Sequence, residues 1–175
     1  GVVGPNVALS QEPLWGGTPS GDAHPDLAWL AAAAQAMPPI SFLIAAPLMH
    51  GAASYAMFFY FIFGGRLVML RDFDPAKIVD GIAHDGLQSL LIVGDAMGMP
   101  LADEMERRRH EVDYSALFMV TSGGAIWSQA CRDRFRTLAP NAMQRDNFGA
   151  SESGNDGEIT LDESGNLRVP ATDKM

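Results

Sequence analysis

Four short polar segments stand directly behind apolar runs, and their residue types suit an anionic or planar ligand. Behind Phe42 to Ala46 comes Pro47-Leu48-Met49-His50-Gly51, and behind Ser89 to Val93 comes Gly94-Asp95. Behind Ala116 to Thr121 comes Ser122-Gly123-Gly124-Ala125, and behind Ala142 to Asp146 comes Asn147-Phe148-Gly149-Ala150-Ser151-Glu152. Paired glycines remove side chains, so the backbone can lie against a flat ring or a phosphate. They also relieve strain wherever φ must be positive, so Gly123-Gly124 reads as well as a tight strand-to-helix turn. Phe148 is either a core aromatic or a stacking platform. Ser151 offers a hydroxyl to a phosphate oxygen, and Glu152 offers a hard carboxylate to Mg²⁺, which binds through one or two carboxylates plus substrate phosphates. His50 is a candidate acid or base, or else a hydrogen-bonded structural residue. His24, His84 and His110 have no metal-ligand spacing, and the Arg107-Arg108-Arg109 run reads as the solvated end of a helix.

The elements that must position these segments are legible from Ser41 onward. Short apolar runs, at 42–46, 66–70, 89–93, 116–121 and 142–146, alternate with longer periodic stretches at 52–63, 75–85, 95–110 and 128–138. Runs of the first kind are strands buried on both faces, and the second are their crossover helices. Asp74 before Pro75 is an N-cap followed by a first-turn proline, Gly86 is a helix stop, and Ser128 is a further cap. The expected fold is a doubly wound α/β layer with a mostly parallel sheet and helices on both faces. In such a sheet ligands bind beyond the carboxyl ends of the strands, where the four polar segments stand. Residues 1–40 form an upstream segment with one short helix at Leu27 to Met37, 41–154 the α/β core, and 155–175 the start of a following β subdomain. Turn signals at Asp156-Gly157 and Ser164-Gly165-Asn166 imply a hairpin of Glu158 to Leu161 with Leu167 to Val169.

Composition narrows the partners. The chain has 175 residues, 47% of them hydrophobic, enough for one domain core. A formal net charge of −9 disfavours nucleic acid and anionic membrane surfaces. The single cysteine, Cys131, excludes an internal disulfide and suits the reducing cytoplasm. The most apolar run, Ala52 to Phe63, is too short for the roughly 20 residues of a membrane span. The Met and Phe stripe within it, Met57, Phe58, Phe59, Phe61 and Phe63, suits core packing or the wall of a greasy pocket. With no initiator Met at Gly1 and a polar stop at Met175, the sequence is expected to be a piece of a longer protein.

Three of the segments together resemble the adenylate-forming superfamily of acyl-CoA synthetases, luciferases and peptide-synthetase adenylation domains. Pro47-Leu48-Met49-His50-Gly51 is similar to its aromatic-or-Met-His-Gly substrate motif, and Thr121-Ser122-Gly123-Gly124-Ala125 to its adenine-side glycine motif. Asn147 to Glu152 is similar to its Tyr-Gly-x-Thr-Glu motif, with Phe148 for Tyr and Ser151 for Thr. Asp72-Phe73-Asp74-Pro75 and Val93-Gly94-Asp95-Ala96-Met97 are most similar to the fatty-acyl and steroid-acid CoA ligase branch.

The resemblance implies a ligase that couples a hydrophobic carboxylic acid to ATP with Mg²⁺ and passes the acyl group to coenzyme A. It places Gly123, Gly124 and Ala125 along the adenine and the acyl pocket, with Phe148 stacked on the adenine and Asp146, Asn147 and Gly149 completing that wall. Ser151 would contact the α-phosphate and Glu152 would hold Mg²⁺. His50, Gly51 and Asp95 would border the acyl group. The family's Pro-Lys-Gly phosphate loop has no counterpart before His50, since Gly16 to Gly21 lacks the lysine. With only Lys77 and Lys174 in the chain, the catalytic lysine of the C-terminal domain is absent too. A fragment alone is thus expected to be inactive. The competing expectation is a non-catalytic α/β module that binds a partner or a nucleotide. The acyl substrate is left open, as is a homo-oligomer.

Overall fold

A computed structural model describes residues 27–36, 38–150, 154–162 and 167–168. Helix α1 spans Leu27–Ala36 and strand β1 Ser41–Ile44, followed by α2 (Gly51–Ile62) and β2 (Arg66–Met69). Then come α3 (Pro75–His84), β3 (Ser89–Ile92), α4 (Gly94–Arg107), β4 (Met119–Gly123) and α5 (Gln129–Leu138). Strand β5 (Met143–Ala150) is followed by β6 (Gly154–Glu158), β7 (Thr160–Leu161) and β8 (Leu167–Arg168). The main sheet has the order β2-β1-β3-β4-β5-β6. Its first five strands are parallel neighbours, and only β6 runs antiparallel, against β5.

Local chemistry sets the helix ends. The Asp74 carboxylate accepts the amides of Ala76 and Lys77 at 3.0 and 3.2 Å, and Pro75 occupies the first turn where no amide partner is needed. Ser128 caps α5 by accepting the Cys131 amide at 3.2 Å. Gly86, just past α3, takes a positive φ of 64°.

Alternation along the buried strands feeds two cores. Leu43, Leu90, Ile92 and Val120 pack with Ile78, Val79, Leu101, Met105 and Phe135 from α3, α4 and α5. Phe42, Ile44 and Leu91 point the other way, against Ala53 and Tyr60 of α2. The Phe42 and Tyr60 rings stack there, centroids 3.8 Å apart. The sheet is therefore covered on both faces, which is why its strands carry no polar alternation.

Two expectations need correction. Asp156 and Gly157 lie within β6, not at a turn, because this segment folds back to pair with Asn147–Ala150. That pairing also extends β5, so Asn147, Phe148 and Gly149 sit in a strand and not in a loop behind one. The hairpin expected of Glu158 to Leu161 with Leu167 to Val169 forms as Thr160–Leu161 against Leu167–Arg168, with Glu158 belonging to β6 instead.

Candidate functional site

The carboxyl ends of β1, β3, β4 and β5 fall on one edge because these strands are parallel and in continuous register. From β1 the chain moves outward to β2 and then returns past β1 to β3. The edge beyond β1 and β3 is thus a topological switch point, where crossovers leave toward opposite faces and a crevice opens.

Two of the loops above this edge are tied together. The Gly94 amide donates to the buried Ser122 hydroxyl at 3.0 Å. The Asp95 amide donates to the Ile126 carbonyl at 3.0 Å, and the Asp95 carboxylate accepts the Ser128 amide at 2.8 Å. Asp95, expected beside the substrate, therefore braces the β3–α4 junction against the β4–α5 loop. Helix α4 meets α5 closely at Gly98, where a Cβ would lie 2.7 Å from the Cys131 sulfur.

The two glycines behind β4 answer to different constraints. Gly124 has φ +84° and open space where a Cβ would stand, so its role is conformational. Gly123 still belongs to β4, in register with Asn147 of β5. A Cβ there would meet the Asn147 carbonyl at 3.4 Å and the Ala52 methyl at 3.7 Å. Gly123 thereby brings the glycine segment, the Asn147–Phe148 segment and the start of α2 to one place.

His50 stands at the N-cap of α2, its carbonyl accepting the amides of Ala53 and Ser54 at 3.1 Å. The imidazole makes no cap hydrogen bond and is exposed. Leu48, Met49, Ile126 and Phe148 are exposed apolar side chains along the same edge, Met49 at 86% and Ile126 at 71%. Ala125 and Gly149 are exposed and Gly51 half-buried. Ser151 and Glu152, expected at the phosphate and the metal, lie outside the described residues. Among the described residues, no group of three or more His, Cys, Asp or Glu side chains could hold a metal.

Asp146 is 2% exposed and ion-paired with Arg132, itself 6% exposed. The Arg132 Nε also donates to the Trp127 carbonyl at 3.0 Å, and its guanidinium lies 4.9 Å from the centre of the Trp127 ring. Arg132 and Trp127 escaped the sequence reading. An arginine inside an amphipathic helix reads as surface, and only the packing of α5 onto β5 turns it inward. Burial raises the Cys131 thiol pKa in the same layer, and it raises that of the Tyr60 phenol on the opposite face.

No protein-family model matches the chain. It is 32% identical over 146 residues to a medium/long-chain-fatty-acid–CoA/3-oxocholest-4-en-26-oate–CoA ligase of Mycolicibacterium smegmatis, covering 81% of this chain and 26% of that protein. It is also 32% identical over 112 residues to a 3-oxocholest-4-en-26-oate–CoA ligase of Rhodococcus rhodochrous, covering 62% and 20% of the two chains. The chain spans about a quarter of the length of the curated relatives it matches. Among solved structures, it superposes on the N-terminal domain of FACL13 from Mycobacterium tuberculosis with TM-score 0.63 and 15% identity, covering 92% and 42%. The luciferase-like enzyme of the mealworm Zophobas morio gives TM-score 0.63 and 18% identity, covering 75% and 30%. At these identities the structural likeness carries the fold alone.

Proposed function

This chain belongs to the adenylate-forming family of acyl-CoA synthetases, and from that premise we propose that its strand-end edge is one wall of a site that activates a hydrophobic carboxylic acid with ATP. The observation that carries the reading is the register of Gly123 with Asn147, which sets the side-chain-free Gly123-Gly124 strip of backbone next to the strand that carries the exposed Phe148. A planar base lies against such a strip and stacks on such a ring.

ATP and coenzyme A act here as substrates. In the first half-reaction a carboxylate oxygen attacks the α-phosphorus, the bond to the β-phosphate bridging oxygen breaks, and pyrophosphate leaves. In the second, the thiolate sulfur of coenzyme A attacks the acyl carbon and AMP departs. Both steps need positioning and charge stabilisation more than covalent help from protein groups. The described residues fit the positioning role: Gly123 and Phe148 bind the base, and the apolar Met49, Ala125 and Ile126 exclude water beside it. His50, unengaged as a cap, faces the same edge and can donate to a carboxylate. Ser151 toward the α-phosphate and Glu152 toward Mg²⁺ complete the proposal, Mg²⁺ supplying neutralisation of phosphate charge.

The exposed apolar residues on this edge and the names of the sequence relatives favour a fatty or steroid-derived acid as substrate. The test is ATP and Mg²⁺ titration calorimetry, with assay of acyl-adenylate and pyrophosphate, on this chain beside a form extended by its flanking coding sequence. Adenylate from the extended form with a medium-chain or steroid acid is the expected result. No adenylate from either form, with any acid of that class, refutes the catalytic reading and leaves a non-catalytic module.

A further inference from the structure

The Arg132 guanidinium is buried near the edge, and its two donor directions lead to two different parts of the proposed nucleotide wall. Nε holds the carbonyl of Trp127, in the loop that follows Gly123-Gly124-Ala125. Nη2 holds Asp146, the residue directly before Asn147 and Phe148. The Trp127 indole, 1% exposed, lies under the same guanidinium and against Phe135 of α5. Strand β5 is anchored to the same residue from its other end, since the Gln144 side-chain amide donates to the Arg132 carbonyl at 2.8 Å. One side chain thus fixes the spacing between the glycine loop and the Asn147–Phe148 segment, although it touches neither and cannot reach a ligand.

We propose that Arg132 is a positioning residue for ATP, its planar fork holding the glycine loop and the end of β5 at the separation a nucleotide base requires. This rests on the reading of the edge as a nucleotide wall. Arginine suits the task because its donors are rigidly spaced, whereas a lysine at the same place keeps the charge toward Asp146 but cannot span to the Trp127 carbonyl as well. The structure therefore separates the ion pair from the tether, and one substitution tests the tether alone.

The experiment is steady-state kinetics of Arg132→Lys and wild type in the extended form, with KM for ATP and KM for the acid measured separately beside thermal unfolding. The expected result is an ATP KM raised about tenfold or more, as small misplacements of binding groups produce, with the acid KM unchanged and the unfolding transition still cooperative. Because a reduced folded fraction lowers apparent kcat without moving KM, a merely structural role gives an unchanged ATP KM, and that result overturns the proposal. Equal rises in both KM values also overturn it. If Arg132→Lys does not fold, Arg132→Met combined with Asp146→Leu removes both partners while keeping the site packed, and the same ATP-specific rise is expected. A wild type that forms no adenylate refutes the functional reading itself, and this role with it; an active wild type with an insensitive variant refutes the role of Arg132 alone.

Discussion

A Cβ placed on Gly94 would stand 2.4 Å from the Ile126 carbonyl oxygen, so the start of α4 and the loop behind β4 approach as closely as backbone permits. Gly94 also has φ +49°, and its amide is spent on the buried Ser122 hydroxyl. Gly94→Ala combines a left-handed strain of about 1–2 kcal/mol with a backbone clash. It should lower the thermal midpoint well beyond Gly86→Ala, where φ is +64° but nothing lies within 4 Å. Paired melts of the two variants check this.

Gly123→Ala should behave in the opposite way. Its new methyl meets only ordinary contacts, at 3.4 Å or more, and φ there is not positive. The fold should persist within about 1 kcal/mol, whereas the methyl occupies the strip against which the base is proposed to lie. The expected outcome in the extended form is weaker ATP binding by calorimetry with a nearly unchanged unfolding midpoint.

Asp146→Ala should destabilise by about 3–5 kcal/mol, because it leaves the buried Arg132 guanidinium without its counter-charge. Urea unfolding measures it. Replacing both partners with apolar residues of similar volume should recover most of that loss.

The Asp74 carboxyl pKa is lowered, chiefly by the Lys77 backbone amide that it accepts. A depressed folded pKa gives stability that is present above the unfolded carboxyl value and lost as pH falls through the folded one. The stability gap between wild type and Asp74→Ala should be widest near neutrality and shrink on acidification. Denaturant melts across that range test it; a gap that widens in acid contradicts the assignment.

Cys131 is fully buried, and burial raises its thiol pKa. Thiol-specific alkylation of the native protein should be slow at mildly alkaline pH and should speed up with denaturant in parallel with unfolding. Fast labelling of the folded form would contradict its place between α4 and α5.

Local sequence determined a good deal here. The alternation of β-branched and apolar runs with capped helices is a short-range property, so the five parallel strands were readable in number and order, and the caps at Asp74 and Ser128 and the turn at Gly86 by residue, although the strand read at 116–121 begins only at Met119 and the one read at 142–146 runs on to Ala150. The three motif segments and their membership of an adenylate-forming acyl-CoA synthetase were readable for the same reason, since each is contiguous. What depends on a partner distant in the chain was not readable. The partners of Asp146 and Asp95 are of this kind, since Arg132 and the Ser128 amide reach them only once the sheet has assembled. The length of β5 likewise waited on β6, because a strand end exposed to water and one paired with a returning segment have the same local sequence. Gly123 and Gly124 make the point most sharply: adjacent and identical in sequence, one takes a positive φ in the turn while the other still pairs in β4 with Asn147.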